Sequence, residues 1–324
     1  MTAGFEPAAR LPGELDLLAA VASDLAEDTA KLAYADFLDE HADPRGAYLR
    51  RLVAAVRDGR DFPDPADLPI GWLELVGDPL ERRIRECGEG PRRAKILARA
   101  RPAVAIDTER AADDDFPIGA SKFGGRPDLP RGAAWPRCEA SPLQFHAQFD
   151  LSELSRTVAG RALPPAGLLS FFMYHDYPQD SYGEPEHGRG VPGGLHIIHT
   201  PPGAELHRLA PPDDLTADHG PPGRPCRLTL TEALDLPDGW KPRRKGDYER
   251  WPLVDGADHQ LFGYARVTVL GEDPVPGPEW EQLLRFSSDD KLSWGWGDGH
   301  RLFWYIRTAD LRAGRFDRTA AIDG

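Results

Sequence analysis

The stretch Pro142-Leu-Gln-Phe-His-Ala-Gln-Phe-Asp150 alternates apolar and polar residues with a period of two. Leu143, Phe145, Ala147 and Phe149 fall on one face, and Gln144, His146, Gln148 and Asp150 on the other. That pattern predicts a β-strand with one face in a core. Outward from it, residues 168–174 form an almost continuous apolar run of strand length, which predicts a central strand buried on both faces. Residues 195–199, 227–230, 264–270, 283–287 and 300–307 read as further strands. Gly297-Asp298-Gly299 reads as a tight turn joining the strand that ends near Trp296 to the one that starts at His300.

Composition supports this reading. The 33 glycines and 32 prolines make up a fifth of the 324 residues, against roughly 12% in average proteins. Proline suits turns and edges and is poor in long helices or central strands, which argues against a helical bundle and against a doubly wound parallel sheet. The net charge of −14 repels phosphate backbones, so nucleic acid is not an expected partner. The longest apolar run, residues 17–22, is far short of a membrane span. The N-terminus lacks a basic region and a cleavage-type signal, so a cytoplasmic location is expected. Cys87, Cys138 and Cys226 are odd in number and far apart, which argues against a disulfide framework and a structural zinc site.

Ahead of the strands the period changes. Leu15, Leu18, Val21, Ala22 and Leu25 share one helical stripe. Asp28 reads as the N-cap of a second helix carrying Leu32, Ala35, Phe37 and Leu38, which ends near His41 before Asp43-Pro44. A third carries Leu49, Leu52, Val53 and Val56 and closes at Asp58-Gly59. Asp78-Pro79 and Gly90-Pro91 each open a short helix, over 79–86 and 91–100. The basic run in 82–101 and Lys241-Pro-Arg-Arg-Lys245 read as solvated faces or as contacts for an acidic partner. The residues Leu-Leu-Ala-Ala-Val at 17–21, Lys31-Leu-Ala-Tyr-Ala-Asp-Phe-Leu-Asp-Glu-His41 and Asp43-Pro44-Arg45-Gly46 resemble the bacterial repeat-companion domain. This resemblance covers residues 14–57 and implies an adaptor or docking element. Alternatively, Tyr34 and Phe37 are simply core aromatics, with Asp36 capping or pairing locally.

Two halves of the C-terminal part are alike. Phe123-Gly124, an alternating strand and Gly167-x-x-x-Phe171-Phe172 are echoed by Phe262-Gly263, a strand at 283–287 and Gly299-x-x-x-Phe303-Trp304, as a duplication giving two related half-domains would produce. Several of these residues carry a second resemblance. Lys122-Phe-Gly-Gly-Arg-Pro-Asp-Leu-Pro130, Trp135-Pro136, Gln148-Phe149-Asp150-Leu151, His259-Gln260-Leu-Phe-Gly263, Trp296-Gly-Asp-Gly299 and Asp310-Leu311 resemble the YwqG-like family of bacterial proteins. The resemblance spans residues 115–322. It implies a mixed α+β domain without an established activity, and an immunity or toxin-binding role, because members are often encoded near toxins of bacterial competition systems. Where that family tends to have a glutamine in the late strand, this chain has Arg285, which puts a ligand contact there in doubt. Residues 178–255 match poorly and read as a lineage-specific loop.

Motifs for chemistry are few. Gly-x-Ser-x-Gly, a Walker loop and a dinucleotide fingerprint are absent. His175, His187, His196 and His199 lie in one stretch, but on a strand His196 and His199 point to opposite faces and share no metal. Asp289-Asp290 reads as a solvated turn or as an acid/base pair. Trp135, Trp294, Trp296 and Trp304 sit beside glycines or strand ends; the first three, with Arg285, are candidates to line a partner-binding groove. Trp304, inside an apolar strand, reads as core.

The expectation is therefore an α+β protein: a helical module over residues 1–110, an exposed linker at Asp113-Asp114-Asp115, and a strand-rich domain over 111–324. The expected function is non-catalytic protein binding, without cofactor, metal, nucleic acid or membrane. The alternative is a hydrolase or transferase using His146, Gln148, Asp150 and Asp298.

Overall fold

The N-terminal helices form where their stripes and caps place them. The computed structural model describes residues 10–65, 67–174, 194–215, 223–237, 258–264, 277–295 and 301–323. Helices α1 (Glu14–Ser23), α2 (Asp28–Glu40), α3 (Arg45–Asp58), α4 (Ile70–Leu75), α5 (Asp78–Glu86) and α6 (Arg93–Leu97) enclose Leu18, Val21, Tyr34, Leu38, Leu49, Leu52 and Leu75. The cap of α2 is Glu27, one residue before the expected Asp28: its carboxylate accepts the Thr29 N–H. Gly59 closes α3 in the left-handed conformation. Glu14, fully buried, accepts the Tyr34 hydroxyl and the Arg45 guanidinium, both at 2.6 Å, and the Trp72 indole donates to Tyr34. Removing one partner of such a buried pair typically costs about 3–5 kcal/mol. Asp36 pairs with Arg50 on the surface.

The strands are β1 (Arg101–Arg110), β2 (Lys122–Phe123), β3 (Asp128–Pro130), β4 (Arg137–Cys138), β5 (Ser141–Pro142), β6 (Gln144–Asp150), β7 (Leu168–Met173), β8 (Leu195–Thr200), β9 (Leu206–Arg208), β10 (Cys226–Asp235), β11 (His259–Phe262), β12 (Trp280–Ser287), β13 (Arg301–Arg307) and β14 (Thr319–Asp323). Ten make one antiparallel sheet in the order β14-β13-β12-β11-β1-β10-β2-β6-β7-β8. Its edge strands β14 and β8 lie against each other, so the sheet nearly closes. Inside it Phe123, Phe149, Phe171, Leu284, Phe286 and Trp304 form the core. Helix α7 (Leu151–Leu154) follows β6, and α8 (Thr308–Arg312) follows β13. The helices of the N-terminal part cover the outer face at β10, where Leu234 and Leu236 join their core.

The sheet order reads alike from both ends. The run β2-β6-β7-β8 on one side of β10-β1 is matched by β11-β12-β13-β14 on the other. Each half opens with a strand that pairs onto the other half: Val104 of β1 faces Leu261 of β11, and Cys226 of β10 faces Phe123 of β2. Both hairpins carry a bulge at the same place, after Phe145 in β6 and after Gln282 in β12. Gly124 and Gly125 take φ of 61° and 69°, and Phe262 and Gly263 take 60° and 80°. The equivalence thus runs one residue away from the letters, Gly124 to Phe262 and Gly125 to Gly263. Phe171 corresponds to Trp304, since they face the equivalent residues Ala147 and Leu284. Backbone conformation, not residue identity, is what the halves share.

Other expectations need correction. The bulge at His146 breaks the alternation in β6. Leu143 and Phe145 pack outside with Phe172 and Trp135, while Ala147 and Phe149 enter the inner core. Residues 101–110, counted with the helical module, are a strand in the middle of the sheet. The expected linker holds a built-in residue: Asp113 bonds Lys122 and Arg126. Strand 264–270 lies outside the described residues beyond Tyr264, as does the Gly297-Asp298-Gly299 turn.

Candidate functional site

The bulge and the left-handed pair create two equivalent polar nests at the sheet centre. In one, Asp113 accepts the Arg126 N–H and the Lys122 ammonium, while the Gln148 amide donates to Asp128 at 2.8 Å. The Arg208 guanidinium also donates to Asp128. In the other, Asp235 accepts the Tyr264 N–H at 2.8 Å and the Gln260 amide at 3.0 Å, and Arg285 donates to Gln260 at 3.1 Å. Lys122 opposite Gln148 and Gln260 opposite Arg285 fill equivalent positions, with the cation and the amide exchanged between strands. All four are buried. Buried polar groups of this kind need partners, and each of the four side chains has at least one within its nest.

His146 faces a different way. Its ring lies in the inner core, 5.4 Å from Trp294 and 6.0 Å from Phe286. Trp294 also packs on Phe123 and His259. His259 has a carboxylate partner there: Nε2 donates to Asp289 at 3.2 Å, and Nδ1 accepts the Ser287 N–H at 3.2 Å. Asp289 also accepts the Thr108 hydroxyl at 2.7 Å. Its bond to His259, above all, holds its carboxyl well below the usual carboxylate range, against the opposing effect of burial. With both ring nitrogens engaged, His259 has none to offer a substrate proton. Burial pushes the nearby Cys226 thiol up to about 11, which leaves it unreactive at neutral pH. Asp289 is thus a half-buried structural acid rather than half of a solvated turn.

Asp150 belongs to neither place. Ending β6, it caps α7 by accepting the Ser152 N–H at 2.8 Å and lines an open hollow of about 470 Å3. Pro117 to Ala120, the start of α7, Gly167, and the segment from Thr200 to Ala204 form the walls. Glu153 lines it too, bonded by the Ser121 hydroxyl; burial pushes its carboxyl up, and the Asp150 charge adds to this. Ile118, at the rim, is 50% exposed. The volume lies within the range of ligand-sized sites.

With this geometry in hand, the comparison with known families is informative: a family model described as a domain of unknown function, DUF1963, matches residues 121–322. The chain belongs to the DUF1963 family. This is consistent with the resemblance to the uncharacterised YwqG-like proteins. No curated protein matches the chain. The DUF1963 match begins at Ser121 and leaves out β1, although β1 stands between β10 and β11 in the same sheet.

Within the DUF1963 domain the expected site residues are dispersed. His146 lies in the inner core, Gln148 in a polar nest and Asp150 in the hollow, so one strand sends them to three surroundings. Arg285 is buried in the second nest, and Trp294, 6% exposed, is core. Trp135 packs outside the sheet on Phe172, its indole donating to the Leu143 carbonyl. Trp296 and Asp298 lie outside the described residues. His196 is exposed on the outer face and His199 faces Phe316 on the inner one. Among the described residues no group of three His, Cys, Asp or Glu could hold a metal ion, and no helix is long and apolar enough to cross a membrane. In the basic run, Arg82 pairs with Asp78, Arg83 with Glu86, Arg92 with Glu89 and Arg93 with Glu81. Glu153 and Thr200 went unseen in the sequence because the hollow gathers residues from four separated segments; Pro201-Pro202-Gly203 is the one local signal of a rigid wall.

Proposed function

We propose that this protein is a non-catalytic binding module whose C-terminal domain receives a partner protein in the hollow beside Asp150. One observation carries the reading: the hollow combines an exposed apolar rim residue, Ile118, with carboxylates that make no ion pair among the described residues. His259, the buried histidine bonded to a carboxylate, has both nitrogens engaged. The helical part, with its resemblance to the repeat-companion domain, is the adaptor element in this reading. An immunity role, implied by the YwqG-like resemblance, is one form it takes when the partner is a toxin. The hydrolase or transferase reading rests on one feature, the raised carboxyl of Glu153 near Asp150, which suits a general acid.

The test is complex formation between the full chain and the products of adjacent genes, followed by size exclusion, with Ile118→Asp as the variant. The complex should form with the wild type and be lost with Ile118→Asp at unchanged melting temperature. Turnover of ester, phosphoester or peptide substrates that disappears in Asp150→Asn would overturn the reading in favour of the enzyme.

A further inference from the structure

The lining of the hollow also specifies the chemistry of its occupant, an inference that rests on the binding reading above. Asp150 and Glu153 bring two carboxylates to one wall, each held by a single local donor, the Ser152 N–H and the Ser121 hydroxyl. Neither forms an ion pair among the described residues; Arg156 acts on Glu153 through its charge alone, opposing the upward push of burial. Thr200, also in the lining, is only 2% exposed, and its hydroxyl has no hydrogen-bond partner among the described residues. A buried hydroxyl without a partner costs free energy that an incoming donor would recover. Thr200 shares the outer face of β8 with Ile198, the side from which the hollow opens.

We propose that the hollow seats a lysine or arginine side chain of a partner protein, followed by an apolar residue that packs on Ile118 and Pro117. The cation's N–H groups donate to Asp150, Glu153 and the Thr200 hydroxyl. An anionic occupant would meet two carboxylates that no cation pairs with directly, and an anionic membrane surface would meet the same repulsion. The net charge of −14 acts in the same direction at long range, drawing basic partners to the chain. The pairing also explains Glu153: with a cation in place, the charged carboxylate is no longer penalised by burial.

The experiment is an amide NMR titration of the full chain at low salt with three probes: acetyl-Arg-Leu-amide, acetyl-Gln-Leu-amide and free arginine. The expected result is that shifts centre on Gly119, Gly167 and Gly203, and that the Arg peptide binds about three- to tenfold tighter than the Gln peptide. Free arginine should bind more weakly than the peptide. The double variant Asp150→Asn, Glu153→Gln keeps both local hydrogen bonds and should erase the difference between the peptides. Equal binding of the Arg and Gln peptides would overturn the cationic occupant. Free arginine binding as tightly as the peptide would overturn the protein source, and shifts centred elsewhere would overturn the site. The Ile118→Asp complex assay decides the binding reading separately, so a failure here and a failure there are distinguishable.

Discussion

Asp113 and Asp235 occupy the same position in the two halves of the sheet. Each accepts the N–H of the residue that follows a left-handed pair, Arg126 after Gly124-Gly125 and Tyr264 after Phe262-Gly263. Each also holds the polar side chain two residues before the pair, Lys122 or Gln260. The strands so fixed flank β10 and β1, so these two acids set the geometry of the sheet centre from opposite sides.

That relationship makes Gly125 and Gly263 sensitive positions. Both have positive φ, and a Cβ at either would fall on the carboxylate, of Asp113 or Asp235. Gly125→Ala and Gly263→Ala should each destabilise by about 2–4 kcal/mol, combining backbone strain with a broken nest. Gly132→Ala is the control. It also has positive φ but meets nothing within 4 Å, so it should cost only about 1 kcal/mol. Thermal or urea unfolding of the three variants checks this.

Glu74 should make stability fall as pH rises from about 4.5 to about 7. It sits where α4 meets β10, and burial above all pushes its carboxyl up to about 7, opposed by the Leu234 N–H. The folded state therefore keeps a proton that the unfolded chain has lost. Stability from this group is full below the ordinary value near 4.5 and declines as pH rises to about 7, by roughly 3 kcal/mol. Glu74→Gln should flatten that slope in unfolding curves taken from pH 5 to 8.

Asp289 should act in the opposite sense at acid pH. Its carboxyl is held low by His259, so the stability it contributes is present above the ordinary Asp range and lost as pH falls below it. Asp289→Asn should cost about 1–3 kcal/mol at neutral pH and reduce the acid sensitivity. Unfolding of wild type and variant between pH 2.5 and 7 measures both effects.

A chain starting at residue 111 should fail to form the sheet, because it lacks β1, which lies between β10 and β11. Far-ultraviolet circular dichroism should show lost strand signal, with aggregation. A cooperative melt like that of the full chain would contradict this.

The helices and most strands were legible because period and caps are local properties. The duplication was legible too, but one residue out of register. Gly124 needs to be glycine for close backbone approach to Arg224, whereas Phe262 tolerates the same φ while contributing a side chain to the core. Matching Phe-Gly to Phe-Gly follows letters where the fold follows dihedrals. The bulge at His146 was illegible because an extra residue leaves the alternation of Pro142 to Asp150 intact on paper while turning half the strand over. Asp289 looked solvated because its partners, Thr108 and His259, come from distant strands. Of the candidate residues that are described, Asp150 alone lines the hollow.

The binding claim is tested most directly by site-specific photocrosslinking in the native cell, with a photoreactive residue placed at Ile118 in one strain and at Ile70 in another. Both positions are exposed, at 50% and 57%, but only Ile118 borders the hollow. The account predicts a discrete protein adduct at 118, lost when Asp150→Asn and Glu153→Gln are added, and none at 70. Equal labelling at the two positions, or no protein adduct at 118, would contradict it.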